Sequence, residues 1–316
     1  MRQICRIGSV NIIAKYRRYG DNMTIREAEK NIEDFYDISN PNEDEIFIWI
    51  ESLKLMIEKT NEPKYMMELG GYYYEIQSFD LALKYYEMAA MKDYVSAYEC
   101  LGYIWYYGRT GKKDYKKAFE YYEKAMKKGH LVATYKVADM YRNGYYVEKD
   151  FDKYKKIIED LYPKVKDLKN VFEPIPEVFT RLAKIRMEEN KNDDAKILLL
   201  KAKDVLAERI SINPFFGNFT IMKWLIKDLY KVKSFDSNDF DFFDLYYVLE
   251  KPTLLTFESY EETYEVESEI EDGELVVRFN DKWFRTVDDF IQKSEIDGEK
   301  LCQNYYELEN FKIQNS

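Results

Sequence analysis

The chain has 316 residues, 46% hydrophobic and 34% charged, so it can bury a sizeable core beneath a solvated surface and is not a disordered polymer. Its 48 Lys and Arg face 59 Asp and Glu, and the resulting net charge of −11 argues against a nucleic-acid partner, whose phosphates attract clustered cations. One histidine, His130, leaves little room for His-based catalysis or metal binding, and cysteines at 5, 100 and 302 lack metal or disulfide spacing and read as free thiols of a reducing, cytoplasmic compartment.

Taken from its start, the chain opens on 22 residues that carry Arg2, Arg6, Lys15, Arg17 and Arg18 against one acid, Asp21. Val10 to Ala14 is too short, and too interrupted by Asn11, for a signal sequence. Arg17-Arg18 can be encoded AGG-AGG, the sequence of a bacterial ribosome-binding site, and Met23 follows shortly after. The expectation is therefore a natural start at Met23, with residues 1–22 a non-native or disordered leader. No apolar run approaches the roughly 20 residues of a membrane helix, so no membrane partner is expected. From Met23 the signals are helical, and few Gly and Pro accompany them. Thr24 with Glu27, and Asn42 with Glu45, have capping-box spacing for two N-terminal helices spanning residues 23–62.

The sequence then repeats itself. Ala97, Gly108 and Asp114 recur as Ala133, Gly144 and Asp150; Ala82, Tyr85, Tyr86, Glu87 and Ala89 recur as Ala118, Tyr121, Tyr122, Glu123 and Ala125, always 36 residues on. A weaker copy keeps Leu182, Ala195 and Ala202 at the mutual spacing of Leu69, Ala82 and Ala89. Helix pairs at a fixed period mark an α-solenoid. Small residues at Gly70, Gly102, Ala138 and Ala183 let the two helices of a pair approach, while Tyr86, Phe119 and Tyr122 fill the space between pairs.

The run Ala97-x3-Leu101-Gly102-x5-Gly108-x5-Asp114-x3-Ala118-x2-Tyr121-Tyr122-x2-Ala125-x3-Gly129-x3-Ala133 resembles a Sel1-like repeat, a relative of the tetratricopeptide repeat. The resemblance is close over 97–132, good over 133–160 and looser over 63–92 and 178–203. It implies a mostly α fold, an array of Sel1/TPR-like helix pairs over 63–210, that serves as a scaffold for other proteins and carries no reaction. Tyr154 departs from the pattern, standing where Ala is expected.

Residues 211–252 read as capping helices, Phe215 to Val232 and Asp239 to Leu249. Beyond Pro252 the period changes to two. Asp272-Gly273 is a hairpin turn that sets Ile270 opposite Leu275, Val266 opposite Phe279 and Glu267 opposite Arg278. Strands near Thr253–Phe257 and Trp283, with a helix from Val287 to Ser294, complete a small α+β module over 253–316, expected to dock on the last helices.

Candidate chemistry is sparse. Gly108-Arg109-Thr110-Gly111-Lys112 lacks the preceding Gly and following Ser/Thr of a phosphate loop and reads as an inter-helix turn. Asp236 to Asp241 lacks the Gly and distal Glu of a calcium loop, and Ser237 to Asp239 reads as a helix cap. His130 sits where a helix start needs a polar residue. No catalytic residue, metal site or cofactor is expected. By the resemblance, the first helix of each repeat lines a groove, which places Lys64, Met67 and Tyr74, then Glu99, Tyr103, Tyr106 and Tyr107, then Tyr135, Asp139, Arg142 and Asn143 on the partner-binding face. The acidic net charge points to a protein or peptide bearing basic and apolar residues. A non-catalytic bacterial scaffold leads; an immunity or inhibitor-type protein that neutralises an enzyme is one variant. An enzyme with its site where the array meets the C-terminal module is the alternative class.

Overall fold

A computed structural model describes residues 23–314; the basic leader and Cys5 lie outside the described residues. The chain forms two compact units, one ending at Lys149 and one beginning at Asp150.

The first unit is all helical among its described residues: α1 (Ile25–Tyr36), α2 (Glu43–Thr60), α3 (Pro63–Glu75), α4 (Phe79–Met91), α5 (Val95–Tyr107), α6 (Tyr115–Lys127) and α7 (Leu131–Asn143). Both expected capping boxes are formed. The Thr24 hydroxyl accepts from Glu27 N while the Glu27 carboxylate accepts from Thr24 N, and Asn42 and Glu45 do the same. Pairs α1–α2, α3–α4 and α5–α6 pack closely, and each pair packs on the next through α2–α3, α4–α5 and α6–α7.

The periodic residues have distinct physical tasks. Gly108 and Gly144 end α5 and α7 in the left-handed region, at φ 66° and 71°, where a Cβ would be strained. Asp114 caps α6, its carboxylate accepting from Lys117 N at 3.0 Å. Gly70 and Gly102 sit at helix crossings: a Cβ on Gly70 would lie 2.6 Å from Tyr86 Cε1, and one on Gly102 2.5 Å from Tyr122 Cδ1. The first two repeats thus each set a knob, the tyrosine of the second helix, against a hole with no side chain. His130 is a cap as expected, with Nδ1 accepting from Ala133 N at 3.3 Å. At the N-terminal end Phe35 stacks on Trp49 at 4.6 Å, over a core of Ile32, Leu53, Met56 and Leu69.

The second unit begins with α8 (Phe151–Val165), α9 (Ile175–Glu188), α10 (Asn192–Ile212) and α11 (Phe216–Val232), and α9, α10 and α11 each pack on the helix before. Asp150 caps α8 as Asp114 caps α6, accepting from Lys153 N at 2.9 Å. Tyr154, the departure from the pattern, is fully buried and its hydroxyl donates to the carbonyl of Arg181 at 3.3 Å, so the larger ring is absorbed by tying α8 to α9. The second capping helix is shorter than expected: a 3-10 turn, Phe242–Asp244, leads into α12 (Leu245–Val248). Asp241 starts that turn by accepting from Phe243 N and Asp244 N, so helical geometry begins only after it.

A five-stranded antiparallel sheet of order β4-β3-β2-β1-β7 follows, built from β1 (Thr253–Ser259), β2 (Glu262–Glu271), β3 (Glu274–Phe279), β4 (Lys282–Phe284) and β7 (Glu309–Ile313). β2 and β3 pair in the expected register, Ile270 with Leu275, Val266 with Phe279 and Glu267 with Arg278. Asp272 and Gly273 both take positive φ, 51° and 84°, the geometry a two-residue hairpin turn requires. The far end of the hairpin outruns its cover, leaving Ile270 62% exposed. The helix α13 (Val287–Lys293) lies over the apolar face, where Phe290 meets Phe279 at 5.7 Å and Phe284 at 5.6 Å. Phe290 also meets Phe242 at 6.2 Å, and Phe243 meets Tyr305 at 5.2 Å, so sheet and capping helices share one core. A two-stranded ribbon of β5 (Glu295–Ile296) and β6 (Glu299–Lys300) had no readable signal in the sequence.

Candidate binding site

The first helices of the repeats in the first unit, α3, α5 and α7, carry the groove residues expected from the sequence, and the structure divides them into two groups. Tyr74, Tyr103 and Tyr107 form a half-exposed aromatic row. Tyr74 on α3 meets Tyr103 on α5 at 5.9 Å, and Tyr103 meets Tyr107 one turn later at 4.4 Å. Tyr107 is 39% exposed, and its ring is the part of the row most open to a ligand. Burial pushes the Tyr74 hydroxyl up to about 12, so it is a neutral donor at any physiological pH. Below the row Glu99 is half-buried; burial raises its carboxyl above the usual carboxylate range, and the Lys136 ammonium on α7 pulls the other way. Asp139 and Arg142 are half-buried on α7, and Lys64 stands exposed at the start of α3, ion-paired with Glu62 at 3.0 Å.

Other expected groove residues serve the fold. Tyr135 is only 7% exposed, so most of its ring surface is taken up by packing, although Lys136 stands 5.4 Å from its centroid. Tyr106 is engaged by Tyr115 and Tyr122 of α6 at 5.5 and 6.4 Å and by Tyr145 of the loop after α7 at 5.9 Å, an aromatic knot that fastens α5 to α6 and that loop. Met67 packs against two buried clusters of the repeat core. Asn143 donates to the carbonyl of Asp139 at 2.8 Å and finishes the helix.

Two cations outside the expected set dominate this face. Lys136 stands over Tyr103, Tyr106 and Tyr107 at 5.7, 5.9 and 5.7 Å from the ring centroids. Arg109, the residue after the αL glycine, folds back over the aromatic row, its guanidinium 5.8 Å from Tyr74, 5.7 Å from Tyr103, 5.3 Å from Tyr107 and 5.8 Å from Phe79. The negative faces of the rings attract such cations. Arg109 also walls an open depression of about 360 Å³ lined by Gln77, Ser78, Phe79, Asp80, Leu81 and Thr110. The signal that could have found Arg109 is the repeat itself: the second repeat has a longer inter-helix loop than the first, and a longer loop can return a side chain to the first-helix face.

The alternative site, between array and C-terminal module, holds a buried cluster in the second unit. Lys203 Nζ bonds Asp244 Oδ2 at 2.6 Å and Asp241 Oδ2 at 2.8 Å. Asp241 also caps the 3-10 turn, and Asp244 Oδ2 accepts from Asp241 N, so these contacts fasten that turn to α10. Among the described residues no group of three His, Cys, Asp or Glu is placed to hold a metal ion, and no helix is long and apolar enough to cross a membrane.

The Sel1 repeat family model matches three times, at residues 63–94, 96–130 and 131–153. No curated protein matches the chain in sequence. Among solved structures, a Sel1 repeat protein from Oxalobacter formigenes is 18% identical with a TM-score of 0.46, over 64% of this chain and 76% of that one. A protective antigen present in uropathogenic Escherichia coli strains, displaying an SLR fold, is 14% identical with a TM-score of 0.45, over 70% of this chain and 52% of its own. A Rap protein complexed with competence and sporulation factor is 13% identical with a TM-score of 0.40, over 70% of each chain. Helix pairs, capping aspartates, αL glycines and glycine–tyrosine crossings recur along residues 63–153, the stretch that the Sel1 repeat family model matches three times.

Proposed function

We propose that the protein is a non-catalytic interaction module that holds a segment of another protein on the α3–α5–α7 face of its Sel1 repeats. The observation that carries this reading is the Tyr74–Tyr103–Tyr107 row, which spans two repeats, remains partly open and is flanked by Arg109 and Lys136. Rings that the core needs are buried, as Tyr86, Tyr122 and Tyr135 are; the row is not. Aromatic anchors beside charged side chains are what a binding surface uses for affinity and orientation. The fold supplies rigidity, because α5 is fixed by its crossing with α6, so the rings are held in place before a ligand arrives and less ordering entropy is lost on binding.

The test is a peptide array probed with the purified full chain. A Tyr103→Ala, Tyr107→Ala double variant should melt like the wild type and lose the bound sequences by at least about tenfold, the scale of truncating one binding hot spot. A Trp283→Ala variant, altered on the sheet, should keep them. Equal loss in the sheet variant, or none in the tyrosine variant, moves the binding surface elsewhere.

A further inference from the structure

The chain's net charge favours a basic ligand, but the two charges that stand directly over the aromatic row, Arg109 and Lys136, are positive. Arg109 stands within 6 Å of four ring centroids, is paired with no carboxylate among the described residues, and has its Nε buried without a hydrogen-bond partner. Its electrostatic partners within the chain are the hydroxyls of Tyr103 and Tyr74. Elsewhere the half-buried Arg186 pairs with Glu159 at 2.8 Å, and the buried Arg209 pairs with Glu177 at 2.8 Å. A guanidinium on neutral rings is held in position with its charge uncompensated, and a planar fork of donors suits a carboxylate. Neither nearby acid fills the role: Asp80 lines the same depression without an ion pair to Arg109, and Glu99 is drawn toward its neutral form by burial and faces Lys136.

We infer that Arg109 is the specificity residue of this face and selects a partner segment carrying an Asp or Glu side chain next to an apolar one, the carboxylate meeting the guanidinium while the apolar side chain lies on Tyr103 and Tyr107. This rests on the reading of the face as a peptide site and adds the charge of its ligand. An internal side chain fits better than a chain terminus, because the depression beside Arg109 is open along the Gln77–Leu81 turn and lets the segment run past. The overall negative charge of the protein then opposes long-range approach of the acidic segment, so encounter quickens as salt rises toward physiological strength, the reverse of what a basic ligand would show.

The experiment is an array of N-acetylated, C-amidated octapeptides, scanned at each position and probed with the full chain, so that side chains are the only carboxylates present. Peptides with Asp or Glu within two positions of Leu, Phe or Tyr should bind about tenfold better than their Asn or Gln counterparts, the worth of one charge-assisted hydrogen bond. Arg109→Gln should erase that difference while leaving the apolar preference, and Arg109→Lys should retain part of it. Should the glutamine variant fold poorly, the lysine variant still decides, because a point charge keeps the sign of the preference but loses the forked geometry. Enrichment of Lys or Arg, with dependence on Tyr103 and Tyr107 intact, overturns this inference and leaves the binding face standing. An acidic preference that survives Arg109→Gln also overturns it. No peptide bound by the wild type overturns the binding face and this inference together.

Discussion

Adding a single methyl group at Gly102 should destabilise the protein, although Gly→Ala in a helix interior ordinarily stabilises by about 1 kcal/mol. The new Cβ would lie 2.5 Å from Tyr122 Cδ1, 2.6 Å from Cε1 and 2.9 Å from Cγ. Ordinary carbon contacts are about 3.5–4.0 Å, so the ring must retreat by roughly 1 Å. Rotation about the Cβ–Cγ bond gives no relief, because Cγ itself is inside the limit. Nor has the ring anywhere to go, since Tyr122 is 0% exposed. Overpacking of this kind costs about 1–3 kcal/mol, which exceeds or cancels the propensity gain and leaves a net loss of up to about 2 kcal/mol. Gly71 supplies the control: its Cβ would meet only the Tyr86 hydroxyl, at 3.9 Å, so Gly71→Ala should stabilise by about 0.5–1 kcal/mol. Urea denaturation of each full-length variant measures the sign, and hydrogen exchange resolved to α5 and α6 shows whether the loss is local to that crossing. A Tyr122→Leu background should remove most of the Gly102→Ala penalty. If Gly102→Ala and Gly71→Ala raised stability alike, the knob-and-hole account of the repeat would be refuted.

Further consequences are checked by the same denaturation experiments. Lys203→Met should cost about 3–5 kcal/mol, because Asp244 at 1% exposure would lose the ammonium that compensates its buried charge; a change below about 1 kcal/mol would mean the pair is dispensable. Asp114→Ala and Asp150→Ala should each cost about 1 kcal/mol by releasing the N-terminal amides of α6 and α8, and Asn at either site should restore most of it. Glu189 is held down to about 2 by hydrogen bonds from Lys155, Lys191 and Arg186; a depressed carboxylate stabilises fully above its unfolded value and progressively less as pH falls toward 2, so Glu189→Gln should flatten the acid limb of the stability curve between pH 5 and 2, read as urea midpoints. A chain ended at Pro252 should bind a hydrophobic dye or aggregate, since Phe242 and Phe243 lose the cover of Phe290 and Tyr305; a clean monomer would show that the sheet is not part of that core.

What the sequence shows and what it hides follow from how far each signal travels. Capping boxes, the αL glycines and the Asp272-Gly273 turn act within a few residues, so Thr24 and Glu27, or Ile270 and Leu275, can be matched from local spacing alone. The glycine–tyrosine crossings reach across about 16 to 20 residues but recur, and recurrence makes a tertiary contact visible as a period. β5, β6 and β7 have neither advantage: β7 joins β1 from more than fifty residues away, and nothing in Glu309 to Ile313 announces that partner. The binding face shows the same division. Projecting first-helix positions places Tyr74, Tyr103 and Tyr107 on it, but the projection gives a position and not an exposure, so Tyr135 is carried along although only 7% of it is exposed. Arg109 escapes for the opposite reason. It lies in a loop, outside any helical projection, and reaches the rings only because Gly108 reverses the chain at φ 66° and sends the next residue back over α5. The residue that sets the charge of the face is therefore placed by a backbone turn, and its four aromatic neighbours are supplied by two different repeats. Lengthening or shortening that loop by one residue should abolish charge selectivity while leaving the tyrosine row, and with it the apolar preference, in place. A loop variant with one Gly inserted after Gly111 tests this on the same peptide array, and unchanged preference for Asp and Glu would show that the turn is not what places Arg109.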